Sequence, residues 1–153
     1  MAQKSKKEHI IGVALPLFLQ NGFKGTSIDI VVRQSAVSKP TVYNHFPDKA
    51  ALILAVIGQW AEANKPSLLF KYNSQAFEEM IHTRWLTSDA VRLYALVISE
   101  GWRFPEGREL FWEQYDNIWR EALVYIAKRL PIHDQTPIDL LLDHQLMNRL
   151  KQL

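Results

Sequence analysis

Ser35–Phe46 reads SAVSKPTVYNHF, and the rest of the chain is arranged to present it. Ser38 is a residue type favoured at a helix N-cap, and Pro40 falls in the first turn, where a missing N–H costs little. Thr41, Tyr43, Asn44 and His45 then supply hydroxyl, phenol, amide and imidazole on little more than one helical turn. Val42 and Phe46 stand four apart, so one face is anchored and the other is offered outward. A short helix that buries one stripe and displays mixed hydrogen-bonding groups is what reading base edges requires. Taken alone the stretch reads equally well as a capped surface helix, so its neighbours must decide.

Working outward, residues 5–21 have the period of a first helix, with Ile10, Ala14, Leu17 and Phe18 on one face and Gly22 as its stop. Pro16 lies inside that helix, which predicts a bend, because its ring crowds the carbonyl of Gly12 four residues back. Gly25-Thr26-Ser27 opens a second helix with Thr26 or Ser27 as cap, Asp29 near its N-terminus, and Ile28, Val31 and Val32 on its buried side. That helix ends near Gln34 or Ser35. Two short helices joined by a three- or four-residue turn make a helix-turn-helix. Pro47-Asp48 breaks the chain again, and Asp48 caps a fourth helix with Ala51, Leu52, Ala55, Val56 and Trp60 on its apolar side.

The chain has 153 residues, 48% of them hydrophobic and 22% charged, a globular balance. It has no cysteine, which excludes disulfides and thiolate zinc sites. No apolar run reaches membrane-spanning length, and residues 1–9 are polar with no apolar segment of signal-peptide type behind them, so a cytoplasmic protein is expected. Residues 1–50 carry seven basic groups (Lys4, Lys6, Lys7, Lys24, Arg33, Lys39, Lys49) against Glu8, Asp29 and Asp48, a net +4, while residues 51–153 carry a net −2. A basic first third on a mildly acidic body suits a nucleic-acid-binding head.

Residues 10–56 resemble the DNA-binding domain of the tetracycline-repressor family of bacterial regulators. The matching residues are Ile10, Ala14, Leu17, Phe18, Gly22, Phe23, Thr26, Ser27, Arg33, Val37-Ser38-Lys39, Thr41, Tyr43, His45-Phe46 and Lys49. Three residues depart from that pattern. Ala36 stands where the family usually has the turn glycine, Val32 replaces a customary alanine, and Pro16 is the third. A left-handed backbone at Ala36 would be costly for a residue with a Cβ.

Beyond Lys65-Pro66, residues 67–88 contain helical pieces around Ala76–Trp85, with Asn73 or Ser74 as cap. Asp89 is the expected cap of a clearer helix bearing Leu93, Leu96, Val97 and Phe104 and ending before Pro105. Residues 106–130 form the longest helix candidate, with Phe111, Tyr115, Ile118, Trp119, Ala122, Ile126 and Leu130 at helical spacing. Thr136-Pro137 starts a last helix with Ile138, Leu141, Leu142, Gln145, Leu146 and Leu150. No alternating strand pattern occurs, so the chain is expected to be all-α.

The expected architecture is a three-helix head, residues 1–47, on a helical ligand-binding and dimerisation bundle, residues 48–153, joined by helix 48–65. The stretch 92–130, with GWRFPEG in its middle, resembles the C-terminal domain of a multidrug-type branch of the family. That likeness implies a homodimer through helices 108–130 and 137–150, and the chain is shorter than most family members.

Helix N-termini at Thr26/Ser27 and Asp48-Lys49 suit phosphate oxygens. Thr26, Ser27, Lys39, Tyr43, His45 and Lys49 are the phosphate-contact candidates, as at the matching family positions. Lys39, Pro40, Thr41 and Asn44 are placed for base edges, with Asn44 suited to adenine and Pro40 or Thr41 to a thymine methyl. Tyr43 and His45 have the alternative of packing beside Phe46. In the body, Trp60, Arg84, Trp85, Trp102, Arg103, Phe111, Tyr115 and Trp119 either line an apolar ligand pocket or are plain core.

The five histidines are scattered and no HExxH, phosphate-cradling glycine loop or nucleophile elbow occurs, so neither a metal, a cofactor nor an enzyme is expected. The resemblance implies a dimeric regulator of transcription bound to a double-stranded DNA operator. It would act as a repressor released by a small apolar or aromatic effector. The alternative is a DNA-binding or architectural helix-turn-helix protein without a small-molecule ligand.

Overall fold

Ser5 opens the first helix with a reciprocal cap: its hydroxyl accepts the Glu8 N–H, and the Glu8 carboxylate accepts the Ser5 N–H. The computed structural model describes residues 5–67, 73–130 and 137–153. Every regular element in them is helical, as the periodicity predicts. Lys4, residues 68–72 of the 67–88 stretch, and Thr136 lie outside the described residues. No helix among the described residues is long and apolar enough to cross a membrane.

Helix α1 (Lys6–Gly25) buries Ile10, Ile11, Ala14, Phe18 and Phe23. Its break falls at Gly22 and not at Pro16, because Gly22 alone leaves helical dihedrals, at φ 77° and ψ 168°. Pro16 and Gly12 are both exposed. The lost hydrogen bond therefore falls on the exposed side of the helix, where a proline is tolerated best.

Helix α2 (Ile28–Ser35) is capped by the Ser27 hydroxyl, which accepts the Ile30 N–H at 3.2 Å. Ala36 ends it in the left-handed region, at φ 54° and ψ 24°. Ala36 is thus the strained residue the pattern pointed to. A left-handed non-glycine backbone costs about 1–2 kcal/mol, part of which glycine returns through its freer unfolded chain. Ala36→Gly is therefore expected to stabilise the protein by about 0.5–1 kcal/mol. Chemical denaturation reads this directly, and a variant no more stable than the parent contradicts it.

Helix α3 (Lys39–His45) follows, and then α4 (Lys49–Ala63), capped by Asp48 through a 2.8 Å bond from the Ala51 N–H. Helix α4 buries Leu52, Ile53, Val56, Ile57, Trp60 and Ala61. It packs on α1 at its start and carries the chain into the body.

In the body, α5 (Ser74–Met80) is capped by Asn73 and runs on through a wide π turn at Ile81–Trp85. Helix α6 (Ser88–Glu100) is capped by Thr87, whose hydroxyl accepts the Ala90 N–H, and not by Asp89, which lies in its first turn. The helix expected over 106–130 runs from Pro105 to Ala127, as α7 (Pro105–Phe111) continued into α8 (Asn117–Ala127) through a π turn at Trp112–Asp116. The extra residue in that turn lets the adjacent Tyr115 and Asp116 both face inward, where each is buried. Helix α9 (Ile138–Leu150) packs on α6 and α8.

These elements meet on a buried hydrogen-bond chain. The Trp85 indole N–H donates to the Tyr94 hydroxyl at 2.9 Å, and Tyr94 donates to Asp116 at 2.5 Å. Asp116 also accepts Arg120 Nε through both oxygens, at 3.1 and 2.9 Å, and Arg120 reaches on to Asp143 of α9 at 2.8 Å. Tyr115 donates to the Trp85 carbonyl. Burial, with the Asp116 charge beside them, pushes both tyrosine hydroxyls well above their ordinary range, so they stay protonated donors. Burial pulls Arg120 down, but Asp116 and Asp143 outweigh it and leave its pKa raised.

Candidate nucleic-acid interface

The displayed helix is held from three sides. Val42 and Phe46 are buried in the head core with Phe18, Phe23 and Val31. Helix α1 is tied to the turn before α3 by His9, whose Nε2 donates to the Ser35 carbonyl at 2.9 Å. Lys39 reaches back to Asp29 of α2, Nζ to Oδ1 2.8 Å. What remains outward is a continuous face: Lys39, Pro40, Tyr43, Asn44 and His45 are exposed, and Thr41 is half-buried. Tyr43 and His45 are both exposed while Phe46 is 2% accessible, although the His45 ring also lies beside that of Phe46, centroids 6.2 Å apart.

Ser38 makes no side-chain cap to the helix backbone; its hydroxyl pairs with that of Thr41 at 2.7 Å. The hydroxyl pair occupies the first turn of α3, so Thr41 is oriented before any ligand arrives.

Two of the residues expected to contact phosphate have partners within the chain. Thr26 is fully buried, and its hydroxyl donates to the carbonyls of Leu17 and Gly22, at 3.1 and 3.0 Å. It satisfies acceptors at the break of α1, which leaves the outward cap of α2 to the exposed Ser27. Lys49 is half-buried: Nζ donates to the Phe23 carbonyl at 2.9 Å and lies 5.8 Å over the Phe104 ring. Its ammonium thus sits at the joint between head and body.

That joint was not read from the sequence. Glu100, at the end of α6, accepts the Lys24 N–H at 2.6 Å, and Phe104 meets the Phe23 ring edge-on at 5.9 Å. The tripeptide Gly22–Lys24 is thus gripped by Glu100, Lys49 and Phe104. An acidic residue closing an apolar helix was the available signal, but nothing local named its partner.

The eight body residues do not form one pocket. Trp60, Trp85, Phe111, Tyr115 and Trp119 are buried against one another, with ring centroids such as Trp60–Tyr115 at 4.5 Å and Tyr115–Trp119 at 6.4 Å. Trp102 is 66% exposed, with the Arg103 guanidinium stacked 4.7 Å above it. Beside this filled core lies a cavity of about 500 Å³, lined by Asn64, Lys65, Glu79, Thr83, Arg84 and Trp119 among others. Of the predicted set, Arg84 and Trp119 reach it. Its lining is more polar than an aromatic pocket would be.

Residues 10–56, which contain the whole displayed helix and its supports, match the family of bacterial regulatory proteins, tetR family. The head of this chain is thus similar to the DNA-binding part of the tetR family. It is 35% identical over 81 residues to the HTH-type transcriptional regulator AcrR of Shigella flexneri, covering 49% of this chain and 37% of that protein. It is 34% identical over 76 residues to QacR of Staphylococcus aureus, covering 46% and 40%. With UidR of Escherichia coli it shares 31% over 108 residues, covering 65% and 54%. The matches thus span about half or less of these relatives' lengths.

Among solved structures, Salmonella enterica GusR superposes with a TM-score of 0.65 at 25% identity, over 95% of this chain and 80% of that one. The likeness therefore extends through the helical body. The three relatives are all HTH-type transcriptional regulators.

Proposed function

We propose that this chain is a transcriptional regulator of the tetR family that binds operator DNA as a homodimer, each subunit laying α3 in a major groove. The observation that carries the reading is the anchored, outward face of α3: Lys39, Pro40, Tyr43, Asn44 and His45 exposed above the buried Val42 and Phe46. Asn44 offers the amide pair that suits adenine, while Ser27, Lys39, Tyr43 and His45 flank it for phosphates. Dimerisation through the 108–130 and 137–150 segments is supported by Tyr125, Leu140 and Met147, which are 49–60% exposed on α8 and α9.

The regulator acts as a repressor, released when a small molecule occupies the body and favours a helix arrangement that sets the two heads at the wrong separation. The filled aromatic core favours the polar-lined cavity beside it as the effector's place. The effector then carries polar groups, in contrast to the apolar or aromatic molecule expected from the tryptophans.

Selection of bound duplexes from a random pool tests the reading. A two-fold pair of half-sites about one helical turn or slightly more apart is the expected result. Recovery of no preferred sequence, or of a single half-site, contradicts specific dimeric recognition. On the selected duplex, Asn44→Ala is expected to lose roughly 1–3 kcal/mol at particular base pairs and relax specificity there. A uniform loss across all sequences would assign Asn44 to the backbone instead.

A further inference from the structure

Lys39 is the cation at the start of α3, on the face proposed to meet DNA, and it already has an anion. Asp29 Oδ1 lies 2.8 Å from Lys39 Nζ, and both side chains are well exposed, 64% and 59%. The Tyr43 ring is 5.8 Å from the same ammonium. The pair bridges α2 and α3, and Pro40 and Asn44 of the same short helix are exposed as it is.

An exposed pair of this kind contributes little to folding stability. Its consequence for a polyanion is larger. A phosphate that takes Lys39 must displace the Asp29 carboxylate or share the ammonium with it, and the carboxylate is left beside a like charge. The counterion release that drives sequence-independent binding is weakened when the cation starts with a counterion of its own.

We propose that Asp29 is an internal competitor for phosphate: it occupies Lys39 in the free protein and holds down the sequence-independent part of DNA affinity. This inference rests on the DNA-binding reading and goes beyond it, by assigning an affinity-setting role to a residue that makes no favourable contact with DNA. Base readout by Asn44 then supplies a larger share of total binding than a head with a free Lys39 would allow. The ammonium is held firmly protonated by its hydrogen bond to Asp29, so the competition is between two anions and not between two protonation states.

The test measures binding of a long random-sequence duplex against salt concentration, for the wild-type chain, D29N, K39M and the double variant. D29N is expected to bind the random duplex about three- to tenfold more tightly near 0.1 M salt, with the log–log salt slope steeper by about one unit. In the K39M background, D29N is expected to leave the slope unchanged, because the cation it would free is absent.

Unchanged or weaker binding by D29N overturns the proposal, since Asp29 would then be inert or would position Lys39. An equal gain with and without Lys39 also overturns it, because general charge removal would be the cause. Unfolding transitions that coincide across the four proteins exclude a folding artefact. A wild-type chain that binds no duplex in a salt-dependent way defeats the DNA-binding reading itself, a separate result from failure of D29N alone.

Discussion

Asp116→Ala is expected to lower folding stability by about 2–4 kcal/mol, out of proportion to the small volume removed. The side chain is 7% exposed and accepts from Tyr94 once and from Arg120 twice. Its loss leaves the buried Tyr94 hydroxyl with no acceptor, although that hydroxyl still takes the Trp85 N–H. It also leaves the Arg120 guanidinium, 21% exposed, with Asp143 alone and in contact with the Trp85 ring. Stranding partners is what makes removal of one member so destabilising; removing both is milder. The double variant Asp116→Leu with Arg120→Met is therefore expected to recover more than half of the loss. Chemical denaturation of the three proteins reads both numbers. A single variant within about 0.5 kcal/mol of the parent would show that the network contributes nothing to stability.

The contrast between head and body explains how much was legible beforehand. The head is built from signals that act over three or four residues. The Ser27 and Asp48 caps, the Gly22 stop and the Val42–Phe46 spacing each have their partner within a turn, so a linear reading finds them. Ala36 is of the same kind, since a helix this short before a turn needs a left-handed residue whatever occupies it.

What the sequence could not assign were partners far along the chain. Thr26 and Ser27 are both cap residues, and only the packing of α1 decides that Thr26 turns inward to Leu17. Lys49 reads as a helix-start cation until Phe23 and Phe104 are seen around it. The tryptophans share a helical period with ordinary core, and period alone does not separate a filled core from a lined cavity. Thr87 and Asp89 are equally good caps, and they stand two residues apart. Asp116 was readable in principle: it lies four residues before Arg120, on the stripe of Trp112, Trp119 and Leu123. The π turn that buries it beside Tyr115 leaves no local mark.

Gly22→Ala is expected to be the most damaging single-atom-scale change in the head, at about 2–4 kcal/mol, for two separable reasons. The first is backbone: at φ 77° and ψ 168° the residue occupies a region open essentially to glycine, and a side chain there is strained by about 1–3 kcal/mol. The second is contact: a Cβ would stand 2.6 Å from Glu100 Oε1. Glu100 is flexible and can swing away, but it then releases the Lys24 N–H it accepts at 2.6 Å. Glu100→Ala separates the two causes. In that background the contact cost is gone, so Gly22→Ala should destabilise less than it does in the wild-type chain, with only the backbone strain remaining. Additive effects of the two substitutions would mean that Glu100 does not crowd Gly22 in solution. A Gly22→Ala variant within about 0.5 kcal/mol of the parent would mean that α1 continues unbroken past residue 22, and that the grip on Gly22–Lys24 is not how the head is fixed to the body.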